Sequence, residues 1–284
     1  MTLADEIAAA FRAACRDELD APKPGNVHVF AEGHRMTADQ FLRSADAAAG
    51  PLCAPGTPVG ARILGAVEAT AAAVGTNTNL GIILLCAPLA AAAERLPRDL
   101  RAEIARVLAD LDIEDARLAF RAIAAAAPAG LGRVERHDVH APPTVSLQAA
   151  MAMAADRDRI ACQYATDFAD VFTIGLDGLH ATRPREPMWA TVAVYLAFLS
   201  AFPDTHIVRK HGAATAEMVR GAAETFHARL RAAEDPAHLL RDLLAWDRTL
   251  KETEINPGTS ADLTVATLFV CRLLNVLPSA GNND

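Results

Sequence analysis

The polar segment 203–212 combines the residue types that bind phosphates. It holds two histidines, two cations and one carboxylate in a chain with a net charge of −8. Arg209 can form a forked contact with a phosphate, Lys210 a point-charge contact, and His211 is a further candidate for substrate binding. Asp204 could hold a metal ion or a ligand hydroxyl. A solvated helix end has the same composition, and the histidines lack the HExxH spacing of a zinc site.

Two further polar segments, 23–28 and 75–81, contain the other candidates for substrate binding. The first places a cation on a proline-flanked turn, beside a glycine that permits close approach of the backbone. The second precedes a strongly apolar helix, whose N-terminus attracts anions. Solvated turns and turns that only cap backbone groups would have similar sequences. The candidates are Lys23, Asn26, His28, Asn77, Thr78 and Asn79.

Three carboxylates are candidates for acid–base catalysis or for binding a metal ion. Glu68 stands alone in an alanine-rich stretch, where a close helix neighbour would bury it and require a partner or a function. Asp262 lies in the first turn of an apolar helix, where it could point into a pocket or only favour the helix dipole. Asp115 follows Ile-Glu at the start of another predicted helix.

The elements that must position these residues are predicted to be helices. Apolar residues recur at helical spacing through most of the chain, and alternating strand-like segments are hard to find. Without internal repeats or Gly/Ser-rich linkers, the sequence predicts an all-α fold with one compact multi-helix domain over 1–284. The predicted helices are Leu3–Leu19, Thr37–Ala49, Pro58–Val74, Asn79–Ala93, Arg98–Asp110, Ile113–Ala126, Ser146–Phe172, Pro187–Phe202, Ala213–Ala233, Pro236–Thr253 and Ser260–Leu277.

Composition argues against several classes of partner. Twenty-seven Lys and Arg stand against 35 Asp and Glu, and no basic run is present, which argues against nucleic acid. The runs 80–93 and 188–202 have about 14 to 15 residues, fewer than the roughly 20 that span a bilayer, so we expect core helices and no membrane partner.

The N-terminus and the cysteines favour a cytoplasmic protein. The N-terminal pattern is that of an amphipathic helix and not of an export signal. The five cysteines are widely spaced, so we expect them to be buried thiols and not disulfides. So many apolar helices are also compatible with a homodimer.

Taken in order, these segments resemble the ATP:dephospho-coenzyme A triphosphoribosyltransferase family, which makes the precursor of the prosthetic group of citrate lyase and malonate decarboxylase. The resemblance spans nearly the whole chain. The segments that carry it are Lys23-Pro24-Gly25, Glu68 with 75–78 and Gly81, Asp115-Ala116-Arg117, 128–132 with Asp138 and Val139, 158–164, 204–212, and 258–263.

The resemblance implies an all-helical, cytoplasmic enzyme that uses Mg²⁺ and small-molecule nucleotide substrates. It would transfer a 5-triphosphoribosyl group from ATP to the 2′-hydroxyl of dephospho-coenzyme A and release adenine. Breaking an N-glycosidic bond develops oxocarbenium character, so carboxylates near the sugar would help and an acid could protonate the departing base. The resemblance favours Glu68, Asp115 and Asp262 as acid–base or metal groups. Lys23, Arg209 and Lys210 would contact phosphates, and Asn77 and Thr78 would position sugar or phosphate.

Two segments depart from the family pattern. The family typically continues Lys-Pro-Gly with Leu-Val-Asp-Arg, where this chain has Asn26-Val27-His28-Val29. It typically reads Asn-Thr-His-Lys-Gly where this chain has Asn79 and Leu80 in place of the His and Lys. These changes leave two alternatives open. One is a related transferase in pterin- or furan-type cofactor biosynthesis, with a different donor or acceptor. The other is a catalytically silent nucleotide-binding protein.

Overall fold

The structure is a computed structural model that describes residues 1–31, 37–126, 139, 141–181 and 186–277. In these ranges helices are joined by short loops, and the only β-pairing is an isolated bridge between His28 and Ala31. The all-α prediction is therefore confirmed. The α-helices are α1 (Leu3–Leu19), α2 (Ala38–Leu52), α3 (Val59–Val74), α4 (Leu80–Ala93), α5 (Leu100–Ala109), α6 (Ile113–Ala126), α7 (Leu147–Ala152), α8 (Arg159–Ala165), α9 (Leu176–Ala181), α10 (Pro187–Ala201), α11 (Thr205–His211), α12 (Ala213–Ala232), α13 (Leu240–Glu252) and α14 (Gly258–Val276).

Three helices, α4, α10 and α14, form the centre of the fold, and the first two are apolar on every side. In α4 every residue except Gly81 is buried, and in α10 the whole run from Trp189 to Leu199 is buried. A helix without a polar face is stable only when neighbours surround it. Helix α14 packs against α1, α4 and α10, which links the larger hydrophobic cluster to a smaller one around α10 and α12.

The prediction that the apolar runs are core helices is confirmed for α4 and α10 by their burial. Within the described ranges, only α14 is by itself long and apolar enough to cross a membrane, and 67% of its apolar window is buried inside the protein. Helix α10 and the short α11 pass the same test only when they are taken together as one bent span. The burial of α14 is that of a core helix.

Local capping signals set several helix starts. Thr37 and Gln40 form a capping box, in which each side chain accepts a hydrogen bond from the other residue's backbone N–H. Asp235 caps the turn that begins with Pro236. The helix predicted over Pro236–Thr253 starts there as a 3-10 helix, Pro236–Leu239, which leads into α13. These caps satisfy backbone donors that have no partner inside the helix.

The predicted single helix over 146–172 is wrong, because the chain breaks twice there. Helix α7 ends at Ala152, and after a turn Asp158 caps α8 by accepting hydrogen bonds from the N–H groups of Ile160 and Ala161. Asp167 and Phe168 then adopt φ angles of 51° and 57°, left-handed values that a continuous helix cannot contain. A π-helical turn over Val171–Gly175 follows and leads into α9, which was not predicted.

The thiols behave mainly as small core side chains. Cys15, Cys53 and Cys86 are buried, as predicted, while Cys162 and Cys271 are only half-buried. Burial raises the pKa of the Cys53 thiol to about 12, and it raises the pKa values of Cys15 and Cys86 as well. No disulfide joins the five cysteines, all of which lie in the described ranges. Because burial raises their pKa values, the thiols of Cys15, Cys53 and Cys86 remain protonated and unreactive near neutral pH.

Candidate functional site

The N-terminal ends of α4, α8, α11 and α14 meet at one place, which we call the junction (77–82, 158–160, 204–211 and 256–262). The Arg159 N–H donates to Thr205 Oγ1 over 3.3 Å, and Thr205 Oγ1 lies 3.0 Å from Thr259 Oγ1. Helix α4 joins them where Gly81 contacts Asp262. Each helix N-terminus carries a partial positive charge, which favours acceptor-rich ligands. Asp158 and Asp204 already accept hydrogen bonds from the first N–H groups of α8, α11 and α14.

Asp204 holds two of these helices together. Its Oδ1 accepts from the N–H groups of His206 and Ile207, and its Oδ2 accepts from the N–H and hydroxyl of Ser260, the latter two at 2.8 Å. The side chain is fully buried. Both carboxylate oxygens are thus occupied by protein donors. The prediction that Asp204 holds a metal ion or a ligand hydroxyl is wrong, because its carboxylate serves as a cap shared by α11 and α14.

Asp262, the next carboxylate of the junction, differs from Asp204 in its hydrogen bonding. Among the described residues it accepts no hydrogen bond and forms no ion pair, although it is partly buried in the first turn of α14. Burial raises its pKa well above the usual range, and the nearby carboxylates of Glu18, Asp204 and Asp158 raise it further, while Arg209 opposes them. Asp262 therefore retains its proton to a higher pH than an exposed aspartate, as a general acid requires.

The cations predicted on segment 203–212 differ in their surroundings. The Arg209 guanidinium is half-buried, with its Nη1 3.6 Å from Asp158 Oδ2, on the side of the junction that includes Asp262. Lys210 is exposed, and His211 Nε2 lies 3.1 Å from the Glu254 carbonyl oxygen. Arg209 and Asp262, predicted from separate segments, are thus brought together by the fold.

The segment before α4 contains two structural residues and one without a visible task. Asn77 Oδ1 accepts a hydrogen bond from the Leu80 N–H, which caps the helix. Thr78 donates its hydroxyl to Ser44 on α2 over 2.6 Å. Asn79 is buried, yet its Nδ2 has no hydrogen-bond partner in the described ranges of the chain. Capping, one of the two interpretations of this segment, accounts for Asn77 and leaves Asn79 unexplained.

Lys23 is not a surface cation available to a phosphate, contrary to the prediction. Its side chain is fully buried, and its Nζ donates to the Val27 carbonyl over 2.6 Å and lies 3.1 Å from Glu18 Oε1. Burial lowers the pKa of Lys23 and raises that of Glu18, while the attraction between the two groups opposes both shifts. The pair fixes the turn after α1 from inside the protein.

The rest of the 23–28 segment is fixed by hydrogen bonds and an ion-pair contact with side chains of α13. Asp247 Oδ1 accepts the Gly25 N–H over 2.9 Å and lies 3.3 Å from His28 Nε2. Lys251 Nζ donates to the other oxygen of Asp247 over 3.0 Å. Burial lowers the pKa of His28, which is consistent with a neutral ring near pH 7. The same segment is also fixed by Asn26, whose Nδ2 donates to Asn256 Oδ1 over 2.8 Å.

Sequence reasoning missed Asp247 and Lys251. They stand four residues apart on an amphipathic helix, a spacing that usually indicates an exposed ion pair. Nothing in that local pattern indicates that Asp247 is buried against a turn more than 200 residues earlier in the chain. Asn26 and His28, predicted to contact substrate, are instead engaged with residues of the protein itself.

Glu68 and Asp115 lie outside the junction. Glu68 is exposed on α3 with its Oε1 4.0 Å from Arg121, so the expectation that a neighbouring helix buries it is wrong. Asp115 Oδ1 accepts the Gly60 N–H over 2.7 Å, which fixes the start of α3 against α6. In the described ranges no three His, Cys, Asp or Glu side chains form a group that could hold a metal ion. Glu68, Asp115 and Asp262 thus do not form the predicted shared metal site.

Some residues that carried the sequence resemblance, 128–132 and Asp138, lie outside the described residues. The family model "CitG: ATP:dephospho-CoA triphosphoribosyl transferase" matches residues 4–280. No curated protein sequence matches. Among solved structures, a crystal structure from Archaeoglobus fulgidus, described as a proposed triphosphoribosyl-dephospho-CoA synthase, matches with a TM-score of 0.65 and 24% identity. The match covers 81% of this chain and 97% of that chain, and at this identity it supports the shared fold.

Proposed function

Because the chain belongs to the ATP:dephospho-CoA triphosphoribosyl transferase family, we propose that the junction transfers a 5-triphosphoribosyl group from ATP to dephospho-coenzyme A. In this reaction the bond between ribose C1′ and the adenine nitrogen breaks, and a bond forms between C1′ and the acceptor's 2′-hydroxyl oxygen. The hydroxyl proton is lost to a base, and adenine leaves with a proton. The observation that carries the proposal is Asp262, which accepts no hydrogen bond from the described residues and lies against Gly81 at the start of α4. The positive charge of Arg209 acts on it and lowers its pKa.

Asp262 would act as the general acid for the departing adenine. Cleavage of an N-glycosidic bond leaves negative charge on the base unless a proton arrives, so a carboxylic acid that stays protonated near neutral pH lowers the barrier. Burial and the neighbouring carboxylates raise the pKa of Asp262 well above its usual range, which favours the protonated form. The proton loss would make Asp262 an anion beside the oxocarbenium-like sugar, which also favours the transition state.

The triphosphate would lie toward Arg209 and Lys210. Arg209 offers a planar fork for phosphate oxygens, and Lys210 is exposed at the end of α11. Mg²⁺ belongs to this proposal as the ion that accompanies a triphosphate and neutralises its charge. Magnesium sites often use one or two carboxylates with the substrate's phosphates. Asp158, whose Oδ2 lies 3.6 Å from Arg209 Nη1, is suitably close to serve as one such ligand.

The first experiment measures free adenine by chromatography after incubation of the protein with magnesium-ATP, with and without dephospho-coenzyme A. Asp262→Asn keeps the size of the side chain and removes the acid, so we expect a loss of at least about 100-fold in kcat. Asp156→Asn is the matched control, because Asp156 is an exposed aspartate near α8. Glu68→Gln tests whether the exposed Glu68 also contributes.

Each outcome separates the candidate functions. Adenine that appears only with dephospho-coenzyme A, and disappears in Asp262→Asn, supports the proposal. Adenine release that requires another acceptor, such as a pterin- or furan-type precursor, favours the related transferase. Protection of the fold by ATP without any product favours a silent nucleotide-binding protein. A wild-type rate in Asp262→Asn would remove Asp262 from the mechanism.

The cellular compartment and the oligomeric state of the enzyme are part of the same proposal. We propose that it acts in the reducing cytosol on small-molecule nucleotides, which is supported by five cysteines that form no disulfide among the described residues, three of them buried in the core. A homodimer stays a prediction, and sedimentation of the purified chain would test it.

A further inference from the structure

The N-terminus of α4 holds several hydrogen-bond donors that nothing in the described chain uses. Leu80 donates its N–H to Asn77 and Ile83 donates to the Asn79 carbonyl, so the first turn is in place. Between them, the N–H groups of Gly81 and Ile82 have no hydrogen-bond partner among the described residues. These free donors belong to a helix of 14 residues, long enough to have a substantial dipole.

A second observation at the same place points to a ligand. Asn79 is the N-cap residue of α4 and is only 5% exposed, yet its side chain makes no capping bond and its Nδ2 has no acceptor. A buried amide donor without a partner is a costly exception in folded proteins. Asn77 already caps the helix, so the Asn79 amide is not needed for that task.

The surroundings favour a neutral heterocycle over a phosphate at this position. The carboxyl of Asp262 lies directly against Gly81, and the Ile160 side chain supplies an apolar surface beside the same residue. Leu80 is apolar, and the half-buried Arg209 is directed to Asp158. A phosphate would meet a carboxyl group here, whereas a ring that carries both acceptor nitrogens and an amino group could use the donors of α4 and the carboxyl of Asp262 together.

We infer that Asn79, with the free N–H groups of Gly81 and Ile82, forms a subsite for an aminopurine base, which in ATP is adenine. This inference rests on the proposed function and adds the location and polarity of the base subsite. In its protonated form Asp262 can donate to a ring nitrogen while its carbonyl oxygen accepts from the exocyclic amino group. The Asn79 amide and the α4 N–H groups then donate to the remaining ring nitrogens. Asn79 is in this scheme a binding residue, and the triphosphate lies on the Arg209 side.

The test measures binding of free adenine, hypoxanthine and inorganic tripolyphosphate separately, by calorimetry on the whole protein. In Asn79→Ala we expect adenine to bind about 3- to 10-fold more weakly, the effect of one lost hydrogen bond, with tripolyphosphate binding unchanged. Arg209→Gln should show the opposite pattern. Wild-type protein should prefer adenine to hypoxanthine, which lacks the amino group. Asn275→Ala, at an exposed position on α14, is the matched control.

Three results would overturn the inference. Adenine binding that is unchanged in a folded Asn79→Ala protein would mean that the amide serves only the protein. Weaker tripolyphosphate binding in that variant would make the α4 N-terminus a phosphate site. Equal binding of adenine and hypoxanthine would exclude recognition of the amino group. Because these are binding measurements on free bases, they stand even if dephospho-coenzyme A proves not to be the acceptor. Transfer to dephospho-coenzyme A with unchanged adenine binding would reject the subsite alone.

Discussion

Gly81 is the position where one added methyl group should separate activity from stability. A Cβ built on Gly81 would overlap Asp262 Oδ2 and would lie 2.8 Å from Ile160 Cδ1. Both atoms are at the ends of side chains and can move. We therefore expect Gly81→Ala to cost about 1–3 kcal/mol from overpacking, offset by roughly 0.5–1 kcal/mol from the better helix propensity of alanine. The net loss of stability is about 0–2.5 kcal/mol, from the same two effects.

The loss of activity should be much larger than this loss of stability. The methyl group can be accommodated only if the Asp262 carboxyl moves, and a displacement of about 1 Å at a reacting group can reduce kcat on the order of 100-fold. The assay combines urea unfolding with the initial rate of adenine release. Gly50→Ala in α2 is the control, since nothing lies within 4 Å of its added Cβ. It should gain about 0.5–1 kcal/mol and keep its rate.

A double substitution identifies the group that causes the effect. If the added methyl collides with Asp262, the stability cost of Gly81→Ala should shrink in an Asp262→Ala background, because neighbouring substitutions that share a contact are not additive. Full kcat in Gly81→Ala would refute the reasoning, since the carboxyl could then move without consequence. An equal cost in both backgrounds would attribute the strain to Ile160 instead.

Three further predictions concern stability. Gly60→Ala should lose about 2–3 kcal/mol in urea unfolding, since the added Cβ would lie 2.6 Å from backbone atoms of Asp115, which cannot rotate away. Lys23→Met should lose about 3–5 kcal/mol by leaving Glu18 buried and unpaired, whereas adding Glu18→Leu should recover most of this loss in thermal denaturation. The third prediction concerns pH. The raised pKa of Asp262 means that the folded chain keeps a proton that the unfolded chain releases near about pH 3.9, so stability falls as pH rises between the two pKa values. Asp262→Asn should flatten this dependence and be more stable than wild type at pH 7. Urea unfolding at several pH values measures this effect, and curves identical to those of wild type would contradict it.

The parts of the fold that depend on local sequence signals were predictable. Helices α1 and α6 have the predicted bounds, and α2 starts where predicted, directly after its N-cap residue Thr37. The break inside 146–172 was not predictable in the same way. The left-handed φ angles of Asp167 and Phe168 have no signature in residue type, because neither residue is glycine, and the buried Phe168 ring shows that tertiary packing sets this turn.

The candidate site was only partly predictable, because composition identifies polar residues and not their partners. Asp262 and Arg209 were predicted from separate segments, and the fold brings them together. Lys23 was also predicted, but its charge is used inside the protein by Glu18. The opposite error occurred with Glu68, whose alanine-rich neighbours suggested burial although the side chain is exposed beside Arg121. Alanine covers little surface, so an alanine-rich helix face does not establish that a partner lies on it.

The buried polar side chains differ in whether the protein itself satisfies their hydrogen bonds, and this difference distinguishes structural residues from candidate functional ones. Asp204 accepts four protein hydrogen bonds, and Asp247 is shared by a backbone N–H, a histidine and a lysine. The buried Asn79 Nδ2 has no hydrogen-bond partner among the described residues, and the partly buried Asp262 carboxyl accepts no hydrogen bond from them. Unpaired buried groups reduce stability, and chains retain them chiefly where function requires a group that is free to bind something else. Substitution of the saturated residues should therefore unfold the protein, whereas substitution of Asp262 or Asn79 should leave a folded chain with altered chemistry.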